Sequence, residues 1–514
     1  MRPHLMRFIL SAQICLWSSL ALTEEISDPF GTEAALPFKP ALRLGGAIGD
    51  PCADAMPGGA LNLLEVVNLA LCNNPQTREV WASANVQAAQ VGVSKASYFP
   101  GASLSASGNR TSPGTGQRSY GLTLSYLLYD FGTRAAGLES ARQLLAAASA
   151  TQDSTVQAVL LLAVESFYQM QAAQAALDAA GEAEHAAKES FAAAEARYTI
   201  GSATPADKLQ AQTAYSQATL NRITADGNMK NVQGALANML GLDANRKVTL
   251  AAANGIASVK DSAFTNPHPN PLDGTTSHST RLQETAAKSL VIPLAGEGAN
   301  VLSPNGESLK IFEQNIAALI EEARLRRPDL QAAAAQVKAA QAGVDAARAA
   351  GKPSISLTAS TNQTNAAGIT SHGSSVGVNL SVPLFSGYAP TYRIRAAEAQ
   401  VEAQNTQLER LRLQVALDVW TAYQNLITAT QSLRTTADLL NSAEQSEHVA
   451  LGRYKAGVGS ILDVLSAQSA LASARQQRIQ SSFNWNISRA TLARAMGSLD
   501  ESLLREIGQT QENN

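Results

Sequence analysis

The chain repeats itself, and that constrains its fold more than any other feature. Pro75 and Pro100 recur as Pro328 and Pro353, an offset of 253. The run Gly121-Leu-Thr-Leu-Ser-Tyr-Leu-Leu-Tyr129 recurs as Gly377-Val-Asn-Leu-Ser-Val-Pro-Leu-Phe385, an offset of 256. At the same offset, Arg197, Tyr198, Gly201, Asp207, Leu209 and Gln212 match Arg453, Tyr454, Gly457, Asp463, Leu465 and Gln468, and Leu236 and Gly241 match Leu492 and Gly497. The repeat is too long for a solenoid unit and implies a duplicated half-chain. Where Asp130-Phe-Gly132 meets Ser386-Gly387, one residue is expected to be lost.

Each half reads as helix, hairpin, long helix, tight turn, helix. Residues 61–98 and about 314–350 are helical by propensity, with Pro75 inside the first. The pattern then switches to period two over 101–110 and 119–129. Tyr120, Leu122, Leu124, Tyr126 and Leu128 alternate with Gly121, Thr123 and Ser125. Ile355, Leu357 and Ala359, then Val376, Val378, Leu380, Val382 and Leu384, alternate in the same way with Ser, Thr, Gly and Asn. One face is apolar and the other small and polar, as in a membrane barrel strand with lipid outside and water inside. Eleven residues at roughly 3.3 Å, tilted about 40°, span about 25–28 Å, which suits an outer-membrane apolar band. An amphipathic hairpin on a soluble core is the alternative, but the chain offers no other strands to cover these faces. Four strands cannot close a barrel and open edges cannot sit in lipid, so other copies must supply the rest; three copies give twelve strands, and two would give eight around a lumen filled by side chains.

From Thr133 to about Tyr198, and from Tyr388 to about Tyr454, proline is absent after the first turn. Each run is roughly 65 residues, or about 100 Å of helix. The returning segments, Asp207 to Leu240 and Asp463 to Met496, reach about half as far. Abundant Ala, Ser and Gln allow close approach of helices, and Leu is scarce at heptad spacing, so the helices read as walls of a tube rather than a dimeric coiled coil.

The expected organisation is an export signal at 1–23, an extended segment at 24–60 and a first repeat at 61–242 with its hairpin at 101–129. An inter-repeat segment at 243–312 and a second repeat at 313–497, with its hairpin at 353–385, precede a polar tail at 498–514. The signal rests on Arg2 and Arg7 before an apolar run from Phe8 to Leu22. No later stretch is apolar over 18 or more residues, so no transmembrane helix is expected beyond it. The Pro- and Asn-rich inter-repeat segment is expected as a belt halfway up the helices. Cys52 and Cys72 are the cysteines left after processing. In an oxidising compartment a bridge from the N-terminal segment to the first helix is expected, with two free thiols as the alternative.

A net charge of −3 with no basic block excludes nucleic acid as a partner. The sequence has no Walker loop, Rossmann glycine pattern, Gly-x-Ser-x-Gly or HExxH, and its six His are scattered, so no catalytic residue, cofactor or metal is expected.

Ala70-Leu-Cys-Asn-Asn-Pro75, Leu128-Tyr-Asp-Phe-Gly132 with Pro383-Leu-Phe-Ser-Gly387, and the paired Arg-Tyr-x-x-Gly…Asp-x-Leu-x-Ala-Gln resemble the TolC family of outer-membrane exit channels over nearly all of the mature chain. The run from Leu71 to Arg78 looks like the branch that includes CyaE, an exit duct for protein toxin secretion. The resemblance implies a mostly α fold with a membrane β-barrel part. Duplicated helix–hairpin–helix halves build a homotrimer with a twelve-stranded barrel and a long α-helical tunnel. Its implied partners are outer-membrane lipid, a periplasmic adaptor (membrane fusion) protein and an inner-membrane ABC or proton-driven pump. The cargo is protein (type I secretion) or small molecules.

The resemblance also implies a tip closed at rest. Tyr454, Asp207 and Asp463 match the gating positions, whereas the family's Arg falls at Gly459 and a second acidic position at Ser466. One clasp is therefore expected to be kept and one lost. Three copies of Asp463 meeting at an axis would repel one another and attract cations. The turns with Arg197, Gly201, Arg453 and Gly457 are expected to contact the adaptor. Thr204 and Ser460 also read as helix N-caps with Asp207 and Asp463 at the third position, and Gly201 and Gly457 as left-handed C-caps. The competing reading is a soluble periplasmic coiled-coil scaffold with the hairpins as interaction tips.

Overall fold

In a computed structural model, residues 28–36, 59–111, 115–251, 306–366 and 369–499 are described. The expected signal, most of the 24–60 segment with Cys52, most of the inter-repeat belt and nearly all of the C-terminal tail lie outside them. After one 3₁₀ turn at Glu33–Ala35, the first half runs α1 (Leu63–Asn73), α2 (Pro75–Ala96), β1 (Gly101–Thr111), β2 (Thr115–Tyr129), α3 (Thr133–Thr199) and α4 (Pro205–Met239). The second runs α5 (Gly306–Arg326), α6 (Pro328–Ala349), β3 (Ser354–Ala366), β4 (Ile369–Ser381), α7 (Ala389–Lys455) and α8 (Ile461–Ala495).

The duplication survives in three dimensions with little change. α2 and α6 have 22 residues each, α3 and α7 have 67 each, and α4 and α8 have 35 each. At 1.5 Å per residue the long helices reach about 100 Å. No helix among the described residues is long and apolar enough to cross a membrane.

Proline divides both ascending helices. A helix-interior proline lacks the N–H donor and clashes one turn back, so the chain breaks at Asn74 and again at Arg327, each with an extended backbone. The single first helix expected over 61–98 is therefore two. The two halves stabilise the break differently. The Asn74 side chain accepts from the Gln76 N–H at 2.8 Å and donates to the Met239 carbonyl at 3.3 Å. Arg327 instead pairs with Asp329 at 2.6 Å and with Asp418 of α7 at 2.8 Å. Burial works against the Arg327 charge, but the two carboxylates outweigh it and hold its pKa above the usual arginine value.

The returning helices end against these breaks. Gly241 and Gly497 cap α4 and α8 with φ of +71° and +72°. Gly241 lies so close to Asn73 that a Cβ would sit 2.7 Å from its carbonyl oxygen, and one on Gly497 would sit 3.1 Å from the Arg326–Arg327 backbone. A returning helix and the ascending helix of its own repeat thus meet end to end, α4 against α2 and α8 against α6, and each pair together is somewhat shorter than one long helix. Beside this junction lies the main core. Val66, Val67, Leu71, Phe167, Tyr168, Leu236, Leu240 and Phe483 are buried together, and Leu61 pairs with Leu250 to bring the start of the inter-repeat segment back over α1.

The strand-to-helix corner departs from expectation. No residue is lost there, because α3 and α7 start at Thr133 and Ala389, again 256 apart. Each corner needs two successive left-handed residues. They are Phe131 (φ +51°) and Gly132 (+98°) in one half, and Gly387 (+63°) and Tyr388 (+63°) in the other. The glycine takes the second place in the first corner and the first place in the second, which imitates a deletion in the sequence. Each corner therefore holds one aromatic residue in a backbone region that costs an L-residue roughly 1–2 kcal/mol.

Candidate duct: barrel wall, junction and tunnel tip

The four strands form one antiparallel sheet in the order β1-β2-β3-β4, with β1 and β4 as edges that are unpaired among the described residues. Its register settles what the alternation of single strands suggests. Ala102, Leu124, Ala359 and Val376 stand opposite one another across all four strands, and the next row down the same face joins Tyr126, Leu357 and Val378. One residue along, on the other face, the row is Ser103, Thr123, Ser360 and Ser375, and Ser360 and Ser375 share a 2.9 Å hydrogen bond. A one-residue slip in any pairing would mix the faces, so the register and the two-faced pattern select each other. On the apolar face Val376 is 78% exposed and Leu104 75%, a bare apolar patch if it stood in water, while the rows Leu104–Leu122–Thr361–Ser374 and Ala106–Tyr120–Gln363–His372 turn polar on β3 and β4.

Aromatic side chains cluster where the sheet joins the helices. Tyr129 and Phe131 meet at 4.7 Å and Phe385 and Tyr388 at 5.7 Å, all four exposed. Tyr129 and Tyr388, apolar in the ring and polar at the hydroxyl, suit a membrane–water boundary, and Phe131 and Phe385 extend the apolar surface beside them. The sequence reading passes over this girdle because it is split between strand ends and corners. Asp130 braces the corner by accepting the Arg134 N–H at 2.8 Å and its Nε at 3.1 Å. The strands are also longer than the alternation suggests, since β2 begins at Thr115 rather than at 119, while β4 ends at Ser381, before Val382 and Leu384.

At the far end of the long helices, Gly201 and Gly457 cap α3 and α7 with φ of +77° and +78°. The matching bonds run from Gly201 N–H to the Tyr198 carbonyl and from Gly457 N–H to the Tyr454 carbonyl, 3.0 Å each. The helices that follow start on capping boxes. The Thr204 N–H and hydroxyl both donate to the Asp207 carboxylate at 2.9 Å, and the Ser460 N–H donates to Asp463 at 3.4 Å. Asp463 is exposed and Asp207 half-buried. Glu195 and Lys208 pair at 2.8 Å across the first turn. Between the long helix and the returning one, Arg222 reaches Glu184 at 2.6 Å, and hydrogen bonds from Thr219 and Arg222 hold that carboxyl below its ordinary pKa.

The two turns meet at Tyr454. It is 6% exposed, packed with Ala194, Ala211, Ile461 and Val464. The Arg197 guanidinium lies 4.1 Å above its ring and donates to its carbonyl oxygen at 2.6 Å. The arginine thus combines a cation–π contact with charge placed at a helix C-terminus. Sequence reasoning assigned Arg197 to the adaptor turn and Tyr454 to the gate without joining them. Of the matched gating residues, Asp207 caps its own helix within the chain, and the buried Tyr454 hydroxyl has no hydrogen-bond partner among the described residues.

Gly459, where the resemblance calls for arginine, is sterically closed. A Cβ there would lie 2.9 Å from the Tyr454 nitrogen and 3.0 Å from the Arg453 Cβ. This turn conformation excludes any side chain at that position. Cys72 is disulfide-bonded, and its expected partner Cys52 lies outside the described residues. Among the described residues no group of three or more His, Cys, Asp or Glu is arranged to hold a metal.

The profile of the family described as "Outer membrane efflux protein" matches residues 66–242 and 319–498, one segment in each repeat. Protein CyaE of Bordetella pertussis is 30% identical over 509 residues, covering 96% of both chains. Among solved structures, a membrane protein from Pseudomonas aeruginosa superposes with a TM-score of 0.65 at 23% identity, covering 85% of this chain and 91% of that one. The Campylobacter jejuni CmeC outer membrane channel gives 0.65 at 18% identity, covering 87% and 89%. At such identities the structures speak to the fold, and the profile and the end-to-end relative speak to descent. The chain belongs to the outer membrane efflux protein family, the TolC-type exit ducts of the outer membrane, and is a channel component rather than an enzyme.

Proposed function

We propose that three copies of this chain close a twelve-stranded barrel over a helical tunnel, which accepts cargo from an inner-membrane pump through a periplasmic adaptor. The observation that carries this reading is the sheet. An apolar row runs across four strands on one face and a small polar row on the other, and both edges are bare among the described residues. Only lipid outside, water inside and further copies at the edges satisfy all three. The likeness to CyaE over 96% of both chains, with the CyaE-like run from Leu71 to Arg78, favours protein cargo over small molecules. The duct holds no energy source, so the pump sets direction. Ile200 and Val458, 79% and 69% exposed at the two turns beside Arg197, Gly201, Arg453 and Gly457, form the surface offered to the adaptor. The Cys52–Cys72 bridge belongs to this proposal as a staple of the N-terminal segment.

The experiment is fractionation. Membranes should yield the protein only to detergent, and release by osmotic shock would return the scaffold reading. Asp463 gives a second test, since it is exposed at the start of α8, where three copies would ring the entrance. Asp463→Ala should weaken block of the channel by divalent cations by roughly tenfold, the loss of about 1.4 kcal/mol of attraction. Unchanged block in planar bilayers would remove Asp463 from the entrance.

A further inference from the structure

We propose that Arg453 of each chain clasps Tyr198 of the next copy, repeating between chains the contact that Arg197 makes with Tyr454 within one. The proposal rests on the three-copy duct and names a contact that holds its tip together.

The argument is one of equivalence. Arg197 and Tyr198 correspond to Arg453 and Tyr454 at the 256 offset, and the two turns share the same cap geometry. Within the chain only one of the two possible clasps forms. Arg197 sits on Tyr454, while Tyr198 is 42% exposed and Arg453 is exposed with no side-chain bond among the described residues. The same asymmetry extends up the helices. α3 packs along α6 and α8, but α7 makes no comparable contact with their counterparts α2 and α4. On α6, Ala339 and Ala342 are buried, and the Ala339 carbonyl accepts a hydrogen bond from Ser140 of α3 at 3.1 Å. Their counterparts on α2, Val86 and Ala89, are both exposed, Val86 by 63%. The contacts that α3 makes with α6 and α8 thus have unmade equivalents between α7 and the α2 and α4 of a first repeat. In a closed ring that missing first repeat belongs to the next chain. The operation that carries Arg197 on Tyr454 to the next position puts Arg453 on Tyr198 of the following copy. Tyr198 can accept it. Lys208 approaches its ring only to 5.6 Å, looser than the 4.1 Å of Arg197, and Lys208 is already paired with Glu195.

Chains carrying Tyr198→Cys with Arg453→Cys, purified in detergent and treated with a short bifunctional thiol reagent, should shift mostly to the mass of three chains on a denaturing gel. Chains carrying Arg197→Cys with Tyr454→Cys should lose both thiols yet stay at the mass of one chain. A photoreactive phenylalanine analogue at position 198, which leaves Arg453 in place, should label the 450–456 stretch of another chain. Should the Tyr198/Arg453 variant and the photoreactive chain stay uncoupled while the native mass is that of three chains, the clasp is wrong and the duct stands. A native mass of one chain overturns both.

Discussion

Val376→Arg is expected to remove the protein from the outer membrane, whereas Ser375→Arg, one residue away, is expected to leave it there. Val376 ends the apolar row Ala102–Leu124–Ala359–Val376, and Ser375 ends the polar row beside it. An arginine facing lipid near the bilayer midplane of a barrel costs about 2–4 kcal/mol, and three copies incur it three times. An arginine facing the lumen stays in water and incurs almost none. Quantifying detergent-extracted trimer checks the pair, and the Val376 variant should fall at least tenfold below the Ser375 variant. Equal yields would mean that the two faces see the same solvent, and the barrel would have to be abandoned.

The second large effect concerns four glycines that share a backbone conformation and differ in their surroundings. Gly201, Gly241, Gly457 and Gly497 all cap long helices with φ between +71° and +78°. An alanine in that region costs roughly 1–2 kcal/mol from backbone strain alone. Gly201 and Gly457 face open space, so Gly201→Ala and Gly457→Ala should cost no more than that. Gly241→Ala adds a Cβ 2.7 Å from the Asn73 carbonyl oxygen, a backbone atom fixed at the helix break. The total should reach about 3–4 kcal/mol, in the range where a substitution at a tightly packed backbone site threatens folding. Gly497→Ala, with its nearest atoms at 3.1 Å, should fall between. Thermal unfolding in detergent should rank Gly241→Ala below Gly497→Ala and both below the two tip variants. A tip glycine more sensitive than Gly241 would contradict the packing at the junction.

Most of the fold is legible in the sequence because long elements carry long signals. The two 67-residue helices announce themselves by the absence of proline, the strands by period two, and the caps by Thr204, Ser460, Gly201 and Gly457 at fixed places. Features settled by a few atoms at one point are not legible in this way. Asn74 and Arg327 share a position before proline but satisfy it by different partners, Met239 and Asp418, which only the packing of distant helices brings near. The corner glycines, Gly132 and Gly387, look like a one-residue deletion because either place in a pair of left-handed residues serves. The site is legible to the same degree. Its residue types and turn geometry follow from the repeat, but two identical Arg-Tyr pairs in sequence become one buried clasp and one bare pair in the chain. The closure of Gly459 against Tyr454 and Arg453 accounts for the missing arginine in a way that no motif comparison provides.

The central claim is that several copies of one chain build a gated, water-filled duct through a membrane. Mass in detergent together with single-channel conductance in a planar bilayer tests it most directly. The account predicts the mass of three chains and small, cation-selective currents that open intermittently. A water-soluble, electrically silent single chain would contradict it.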